Sequence, residues 1–133
     1  MVNRQLSKSE RLNSQLVIDK LFAGGNASMV AFPLRIVYMR KERKPEDDEK
    51  APPVSILISV PKKRFRHAVD RNRMKRMVRE AYRINKHILW EALAGRSYGI
   101  VLAFICIADT MPSDHQVEKR VIKSLSKIAA SLD

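Results

Sequence analysis

The segment 68–83, AVDRNRMKRMVREAYR, carries five arginines and one lysine among apolar residues that recur at helical spacing. On a helical wheel, one side of residues 71–90 is apolar and must pack against other elements of the chain. The opposite side is basic and must face outward. The sequence therefore predicts an amphipathic helix over 68–94 that covers a sheet. Its apolar side holds Met74, Met77, Val78, Ala81, Ile84, Ile88 and Leu89, and its basic side holds Asn72, Lys75, Arg76, Arg79, Arg83 and Lys86.

The other segments predict a single α+β domain around this helix, because 133 residues suit one domain with one modest core. Residues 1–12 are polar and basic and are expected to form a flexible arm, which leaves 13–133 for the domain. The order is α-β-β-α-β-α, with room for one more short strand. The predicted elements are a helix over 13–25, strands within 28–42 and 54–60, the basic helix, a buried strand over 98–107 and a helix over 113–132.

The first and last helices carry recognisable end signals. Asn13 is a good N-terminal cap, and Gly24 or Gly25 can end the first helix because glycine accepts positive φ. Ser113 or Asp114 is expected to cap the last helix. The apolar stripe of that helix consists of Val117, Val121, Leu125, Ile128 and Leu132.

The first predicted strand has two faces, and side chains alternate between them. Pro33 lacks an N–H, so we expect it at an edge or a bulge. The charged, proline-containing segment 43–53 predicts a hairpin connection to the next strand. Leu34, Ile36 and Tyr38 share one face, and Arg35, Val37 and Met39 share the other.

Positive charge is concentrated on the basic helix and the loop before it. The chain has 26 Lys and Arg against 14 Asp and Glu, a formal net charge of +12. Residues 62–86 hold eleven Lys and Arg but only two acids, Asp70 and Glu80. A merely solvated helix would intersperse acids as i,i+4 partners. The pattern therefore indicates a polyanionic partner, and the preference for arginine on the helix favours RNA.

An anionic membrane surface is the alternative polyanion. The apolar side of the helix is needed to cover the sheet, and it lacks the Trp and Phe anchors of interfacial helices. The longest apolar run, 99–108, is too short to span a bilayer. The chain begins with the polar sequence MVNRQLSKSERL, which has no apolar signal-peptide core. We therefore expect a cytoplasmic protein that does not bind membranes.

The sequence contains no recognisable catalytic constellation. His67, His87 and His115 are scattered, and none has a partner at a spacing that builds a metal site or an acid–base pair. The acidic run 46–49 is expected to be a solvated loop. Cys106, the only cysteine, lies in an apolar run and is expected to be a buried structural thiol. We therefore expect no catalytic residues and no protein-held metal.

Thirteen residues in and before the basic helix resemble the arginine-rich signature of the protein component of bacterial ribonuclease P. That pattern has two lysines after a strand, a short loop, Ala-Val or a similar pair, and then Arg-Asn-Arg, an apolar residue, Lys-Arg, two apolar residues and Arg-Glu. The first helix is also similar, with Arg11, Leu12, Phe22 and Gly25 at the family's positions. The signature is matched in order by Lys62, Lys63, Ala68, Arg71, Asn72, Arg73, Met74, Lys75, Arg76, Met77, Val78, Arg79 and Glu80.

The resemblance implies an α/β fold like the second domain of ribosomal protein S5, with a left-handed crossover through the basic helix, against the usual rule. It also implies an accessory role in an endoribonuclease. In this family the RNA subunit uses bound Mg²⁺ to remove the 5′ leader of precursor tRNA. The protein subunit positions the leader and strengthens metal binding and substrate affinity. Its partners would be the catalytic RNA and precursor tRNA, with Mg²⁺ held mainly by the RNA subunit and the substrate.

Two RNA-binding surfaces follow from the resemblance. The basic helix would face the catalytic RNA, and a cleft between the first helix and the sheet would hold the single-stranded leader. Stacking on an aromatic side chain would bind any leader base; Tyr38 is the candidate, with Ile36 or Phe32 open because the register is not fixed. The expected cleft residues are Arg11, Ile18, Phe22, Ile36 and Tyr38. The expected RNA-binding residues are Lys62, Lys63, Arg66, Arg71, Asn72, Arg73, Lys75, Arg76, Arg79 and Arg83.

The chain departs from the family pattern in places. Ile18 stands where many members have phenylalanine, which weakens the case for stacking there, and Pro61 replaces a small residue. Phe65 can either cap the core or touch RNA.

Two other classes of function compete with this interpretation. A plain RNA-binding protein of similar fold, such as a ribosomal protein, explains the charge but not the full signature. A DNA-binding protein would need a dimer with two half-sites, and no spare dimer helix is evident, so we expect no DNA partner.

Overall fold

In a computed structural model of the chain, the residues described are 6, 10–12, 14–24, 26–43 and 51–132. Within them the chain forms helices and one four-stranded sheet, which confirms the predicted α+β class. The helices are α1 (Gln15–Phe22), α2 (Ala68–Asn85), α3 (His87–Leu93) and α4 (Asp114–Ser131). The strands are β1 (Ala27–Ala31), β2 (Leu34–Glu42), β3 (Val54–Ser59) and β4 (Tyr98–Cys106).

The sheet is built around β4, the apolar strand that the sequence predicts to be fully buried. The strand order is β1-β2-β4-β3. β2 pairs with β4 in antiparallel fashion, from Leu34 opposite Cys106 to Glu42 opposite Tyr98, and β3 pairs with β4 in parallel. Because both faces of β4 are covered, its side chains form an almost continuous buried run.

Helices cover the two faces of the sheet unequally. On one face, α2, α3 and α4 bury the larger cluster, which includes Phe104 of β4 and Leu34 and Ile36 of β2. On the other face, α1 buries a smaller cluster through Leu21. The sheet residues of this second cluster that are buried are Val37, Val101 and Ala103.

The segment predicted as one long first strand forms two strands. β1 and β2 pair as an antiparallel hairpin from Ala27 opposite Tyr38 to Ala31 opposite Leu34. Phe32 and Pro33 form the turn between them, and the peptide bond that joins these two residues is cis. Pro33 therefore lies at a turn, where its missing N–H breaks no ladder. The additional strand allowed by the sequence is thus β1, before β2.

The predicted hairpin between β2 and β3 is wrong. β4 lies between these two strands, so β2 and β3 do not pair. Strands that are neighbours in sequence often pair. Here β4, the most apolar strand, lies at the centre of the sheet and pairs with β2 along one edge and with β3 along the other. Residues 44–50, which include the acidic run, lie outside the described residues.

The predicted basic helix is divided at Lys86 into α2 and α3. The Asn85 side-chain amide donates to the carbonyl of Ala81 at 2.9 Å. Side-chain bonds of this kind compete for the carbonyls that accept the backbone hydrogen bonds of a helix. Gly95 follows α3 with φ of 79°, as expected for a glycine that ends a helix.

The predicted cap of α4 and the glycine at the end of α1 are confirmed, whereas the predicted N-cap of α1 is wrong, because Ser14 and not Asn13 holds that position. Ser113 Oγ accepts from the backbone N–H of Gln116 at 3.1 Å and so caps α4. Gly24 has φ of 98°, just beyond the end of α1. Asn13 and Gly25 lie outside the described residues, and Ser14 is the residue at the N-cap position of α1.

Residues before α1 dock on the edge of the sheet. Arg11 forms a parallel bridge with Ile56 of β3, and the Leu12 N–H donates to the Ile56 carbonyl at 2.7 Å. Glu10 is 1% exposed. Residues 10–12, which the sequence assigns to a flexible arm, are therefore part of the folded surface, while flexibility of residues 1–5 and 7–9 stays a prediction. The handedness of the crossover from β3 to β4 and the likeness to ribosomal protein S5 stay predictions as well.

We expect Gly99→Ala to destabilise the fold. A Cβ at Gly99 would lie 2.4 Å from the Pro53 carbonyl oxygen, which also accepts from Ile100 N–H at 2.8 Å. Because that oxygen belongs to the backbone of the chain entering β3, it cannot move aside cheaply. The free energy of unfolding should fall by about 1–3 kcal/mol, measured by urea denaturation. Ser97→Ala, at an exposed position, should change it by less than about 0.5 kcal/mol; an equal effect of both substitutions would contradict the steric argument.

Candidate nucleic-acid interface

Ten predicted RNA-binding residues lie on α2 and on the loop that precedes it, and we call this set the basic surface. Residues 62, 63, 66, 72, 73 and 76 are exposed, and residues 71, 75, 79 and 83 are half-buried. The apolar stripe of α2 is buried as predicted, since Met74 and Val78 are 0% exposed. The structure therefore places the following residues on α2 and the loop before it, with none of them buried: Lys62, Lys63, Arg66, Arg71, Asn72, Arg73, Lys75, Arg76, Arg79 and Arg83.

The loop between β3 and α2 is anchored from within. The N–H groups of Arg64 and Phe65 both donate to the Pro61 carbonyl, at 3.0 and 3.4 Å. Phe65 is 7% exposed and belongs to the larger core cluster. Of the two roles left open for Phe65, the structure supports the one in the core. A buried Phe65 leaves Lys62 and Lys63 on the outer side of a fixed turn.

Arg71 has a structural role in addition to its charge. One terminal nitrogen of its guanidinium donates to the carbonyls of Phe65 and Arg66, at 2.9 Å each. These bonds join the first turn of α2 to the loop before it. Charge-assisted bonds of this kind are stronger than neutral ones, so Arg71 holds the loop lysines in place.

Positive side chains on and beside α2 repel one another, most strongly where they are partly buried. Burial lowers the pKa of Arg79, and the neighbouring positive charges of Arg11 and Arg76 lower it further. Like charges are therefore held close together in a partly desolvated place. Bound phosphate would relieve this repulsion, which is the property expected of an RNA-binding surface.

Arg83 of the basic surface forms an ion pair with Glu80, three residues before it on α2. The Arg83 Nε donates to Glu80 at 3.0 Å. This hydrogen bond is the main reason why the pKa of Glu80 lies below its ordinary value. The charge of Arg83 is thus offset by a neighbouring acid.

Lys86 does not belong to the basic surface, contrary to the helical-wheel prediction. Its side chain is 1% exposed, and its Nζ lies 2.7 Å from Oε1 of Glu10. The wheel places Lys86 on the basic side, but the helix ends at Asn85 and the chain continues into α3 at His87. The N-terminal segment then covers Lys86.

The cleft beside α1 contains some of the predicted residues. Ile18 and Phe22 are four residues apart and lie on the same side of α1, where Ile18 is half-buried and Phe22 is 46% exposed. Arg11 is exposed and lines a groove with Lys75 and Arg79 of α2. The structure therefore brings Arg11 next to the basic surface.

Ile36 and Tyr38 do not lie in this cleft, which corrects the prediction. Both side chains point to the face covered by α2, α3 and α4, where Ile36 is 0% exposed. The predicted alternation is confirmed, but the opposite set of residues faces α1, namely Val37 and Met39. Phe32, the remaining candidate, is 54% exposed in the turn between β1 and β2.

The acidic, histidine and cysteine side chains of the described residues do not assemble a metal site. Those residues contain no group of three or more His, Cys, Asp or Glu side chains placed to hold a metal ion. The Cys106 thiol is buried and donates to the Ala108 carbonyl at 3.6 Å, and burial raises its pKa, as expected for a structural cysteine. Over the same residues, no helix has the length and apolar character needed to cross a bilayer.

Comparison with known proteins identifies the family. Residues 6–129 match the family model described as Ribonuclease P. The chain belongs to the ribonuclease P protein family. The ribonuclease P protein component of Porphyromonas gingivalis is 45% identical over 127 residues, which cover 96% of this chain and 88% of that protein. The ribonuclease P protein component of Chlorobaculum tepidum is 37% identical over 114 residues, covering 81% of this chain and 72% of that protein.

Solved structures of ribonuclease P proteins share the fold. The protein from Staphylococcus aureus superposes with a TM-score of 0.62 at 21% identity, covering 95% of this chain and 100% of that one. The protein from Thermotoga maritima gives a TM-score of 0.65 at 18% identity, covering 89% of this chain and 96% of that one. At such low identity these likenesses concern the fold and not individual residues.

Arg71→Ala and Arg73→Ala should separate the structural role of Arg71 from charge alone. Both substitutions remove one positive charge from the first two turns of α2. Arg71→Ala also removes the two bonds to the loop, so it should lower the free energy of unfolding by about 1–2 kcal/mol. Arg73 is exposed, and its substitution should change that free energy by less than about 0.5 kcal/mol. Urea denaturation of both variants is the measurement, and equal values would contradict the anchoring role.

Proposed function

We propose that this chain is the protein subunit of ribonuclease P. It binds the catalytic RNA and the 5′ leader of precursor tRNA and assists the Mg²⁺-dependent endonucleolytic removal of the leader, while the RNA subunit performs catalysis. Membership of the ribonuclease P protein family supports the role in tRNA processing. The single observation that carries the proposal is the basic surface, whose arginines and lysines face outward from a helix whose other side is core.

Contact with RNA follows from the chemistry of the basic surface. The planar guanidinium of arginine binds phosphate through two parallel hydrogen bonds and also stacks on bases. Arg73 and Arg76 are exposed on α2, and Lys62 and Lys63 extend the surface beyond its N-terminal end. Along this side, positive groups on a rigid helix can follow an RNA backbone without local reorganisation.

The leader is proposed to lie beside α1. Phe22 offers an exposed ring on which a base can stack, and Arg11 offers a charge for the backbone. Stacking does not read base edges, which suits a leader whose sequence varies between precursors. Since Ile36 and Tyr38 face the other side of the sheet, the proposed leader site rests on Arg11, Ile18 and Phe22.

The Mg²⁺ ions of the reaction are proposed to be held by the RNA subunit and the substrate. The described residues of this chain offer no cluster of metal-binding side chains, so they do not fit a dedicated protein site. The chain's own contribution is to bind and orient RNA through positive charge. We further propose that it acts in the cytoplasm, with neither DNA nor a membrane as its partner.

The first test is cleavage of a leader-bearing precursor tRNA by ribonuclease P RNA at low Mg²⁺, with and without the protein. The unmodified protein should stimulate cleavage strongly. The triple substitution of Arg73, Lys75 and Arg76 by alanine should weaken RNA binding by at least about tenfold and abolish the stimulation, because it removes three charges from the basic surface. Arg71 is left in place because it also anchors the loop.

Helix α4 provides a matched control. Lys119, Lys123 and Lys127 are exposed on it, and their joint substitution by alanine removes the same charge from another surface. This control should retain most of the stimulation. Equal loss in both triple variants would show that net charge matters and not the basic surface. No stimulation by the unmodified protein, with RNA binding retained, would favour a plain RNA-binding protein.

Phe22→Ala tests the proposed leader site. It should weaken binding of a leader-bearing precursor by about 1–3 kcal/mol while leaving binding of mature tRNA unchanged, because only the leader would stack on this ring. Leu16→Ala, at a position on α1 that is 76% exposed, is the matched control and should alter neither affinity. The measurement is equilibrium binding of both RNAs to the reconstituted holoenzyme, and a parallel loss for both RNAs would place Phe22 outside the leader site.

A further inference from the structure

A buried ion pair joins the residues before α1 to the end of α2. Glu10, before α1, and Lys86, between α2 and α3, are 76 positions apart, yet Oε1 and Nζ lie 2.7 Å from each other. Their side chains are 2% and 1% exposed. Burying two charges is costly unless they are well paired, so the pair favours the one placement of the segment in which the two groups meet. The N-terminal segment is therefore held to the helical layer at a defined point.

Aromatic side chains close this pair off from solvent. The Lys86 ammonium lies 4.5 Å from the centre of the Trp90 ring, a favourable cation–π distance. The Trp90 indole N–H donates to the Tyr82 hydroxyl at 3.0 Å, and Tyr82 packs edge-on against Phe104. Neither Glu10 nor Lys86 is therefore accessible to RNA, and any effect of the pair on RNA binding must pass through a neighbour.

That neighbour is Arg11, the next residue along the chain. Its backbone bridges to Ile56 of β3, and its exposed side chain lines the same groove as Lys75 and Arg79. Arg11 is thus held beside two other positive charges, although like charges repel. Repulsion alone would move this polar, basic segment away from α2. The buried pair, the hydrogen bond from Leu12 to Ile56 and the partly buried Leu6 oppose that movement.

We propose that Glu10 and Lys86 are positioning residues that hold Arg11 against α2, so that its guanidinium joins Lys75 and Arg79 in one RNA-binding groove. The proposal rests on the function proposed above. A buried ion pair is suited to this task because it is satisfied in only one register of the segment on the sheet. The RNA-binding surface therefore spans two parts of the chain, α2 and the residue that follows Glu10.

The test measures binding of the full-length protein to a leader-bearing precursor tRNA over a range of salt concentrations. Glu10→Gln, Arg11→Ala and the double variant are compared with the unmodified protein. Removal of one phosphate-binding charge lowers the log–log salt slope by about one. Glu10→Gln should lower the slope by that amount, as Arg11→Ala does. The double variant should show no larger decrease than Arg11→Ala alone, because both changes remove the same interaction with phosphate.

Glu91→Gln is the matched control for charge. Glu91 is exposed on α3, and its substitution adds the same positive charge to the protein as Glu10→Gln. Simple electrostatics predicts tighter RNA binding for both variants. The proposal predicts that Glu91→Gln binds as well as the unmodified protein or better, whereas Glu10→Gln binds more weakly. For Glu10→Gln, simple electrostatics thus predicts an increase in RNA affinity, whereas the proposal predicts a decrease.

Folding of each variant is checked by circular dichroism at the assay temperature. If Glu10→Gln does not fold, Glu10→Asp is the milder variant: it keeps the charge but shortens the side chain, and it should also lower the slope. A folded Glu10 variant with an unchanged slope, or additive decreases in the double variant, would overturn the positioning role alone. Failure of the unmodified protein to bind the RNA would overturn the proposed function, and this inference with it.

Discussion

The fold depends on the burial of β4 on both faces. This strand pairs with β2 on one side and β3 on the other, and its two sets of side chains enter the two hydrophobic clusters. Because β3 and β4 are parallel neighbours, the chain must cross over between them, and it does so through α2 and α3. The crossover carries the basic surface. Placement of the basic helix α2 is thus a consequence of how the central strand is covered.

Within α2, burial of the apolar side chains opposes full exposure of the charged side chains next to them. Met74 and Val78 must be fully buried, which draws Lys75 and Arg79 partly into the protein beside Arg11. The fold compensates a small part of the resulting charge internally, through Glu80 and through the pair that buries Lys86. The remaining positive charge faces outward. Repulsion among these positive side chains destabilises the free protein. Binding of a polyanion would remove that repulsion.

The sequence predicts best the elements whose signal is local and periodic. The apolar stripe of α2, the buried strand β4 and the Ser113 cap of α4 are all confirmed. Sheet order is not a local property, so the position of β4 between β2 and β3 could not be read from neighbouring segments. The prediction that Tyr38 faces α1 is wrong for a related reason. Alternation along a strand shows which side chains share a face, but it does not show which helix covers that face. Lys86 has the same charge as the surface lysines, and its burial depends on a glutamate 76 positions away.

The central position of β4 also has a consequence for biosynthesis. Its first residue is Tyr98, so α1, the other three strands, α2 and α3 must all be made before β2 and β3 can be joined. Until then β3 lacks its parallel partner, and the apolar side of α2 stays partly uncovered until α4 has also been made. Non-local pairing of this kind slows folding and prolongs the exposure of apolar surface. The interval between synthesis of α2 and of α4 is therefore the period in which a nascent chain of this topology is most prone to aggregation.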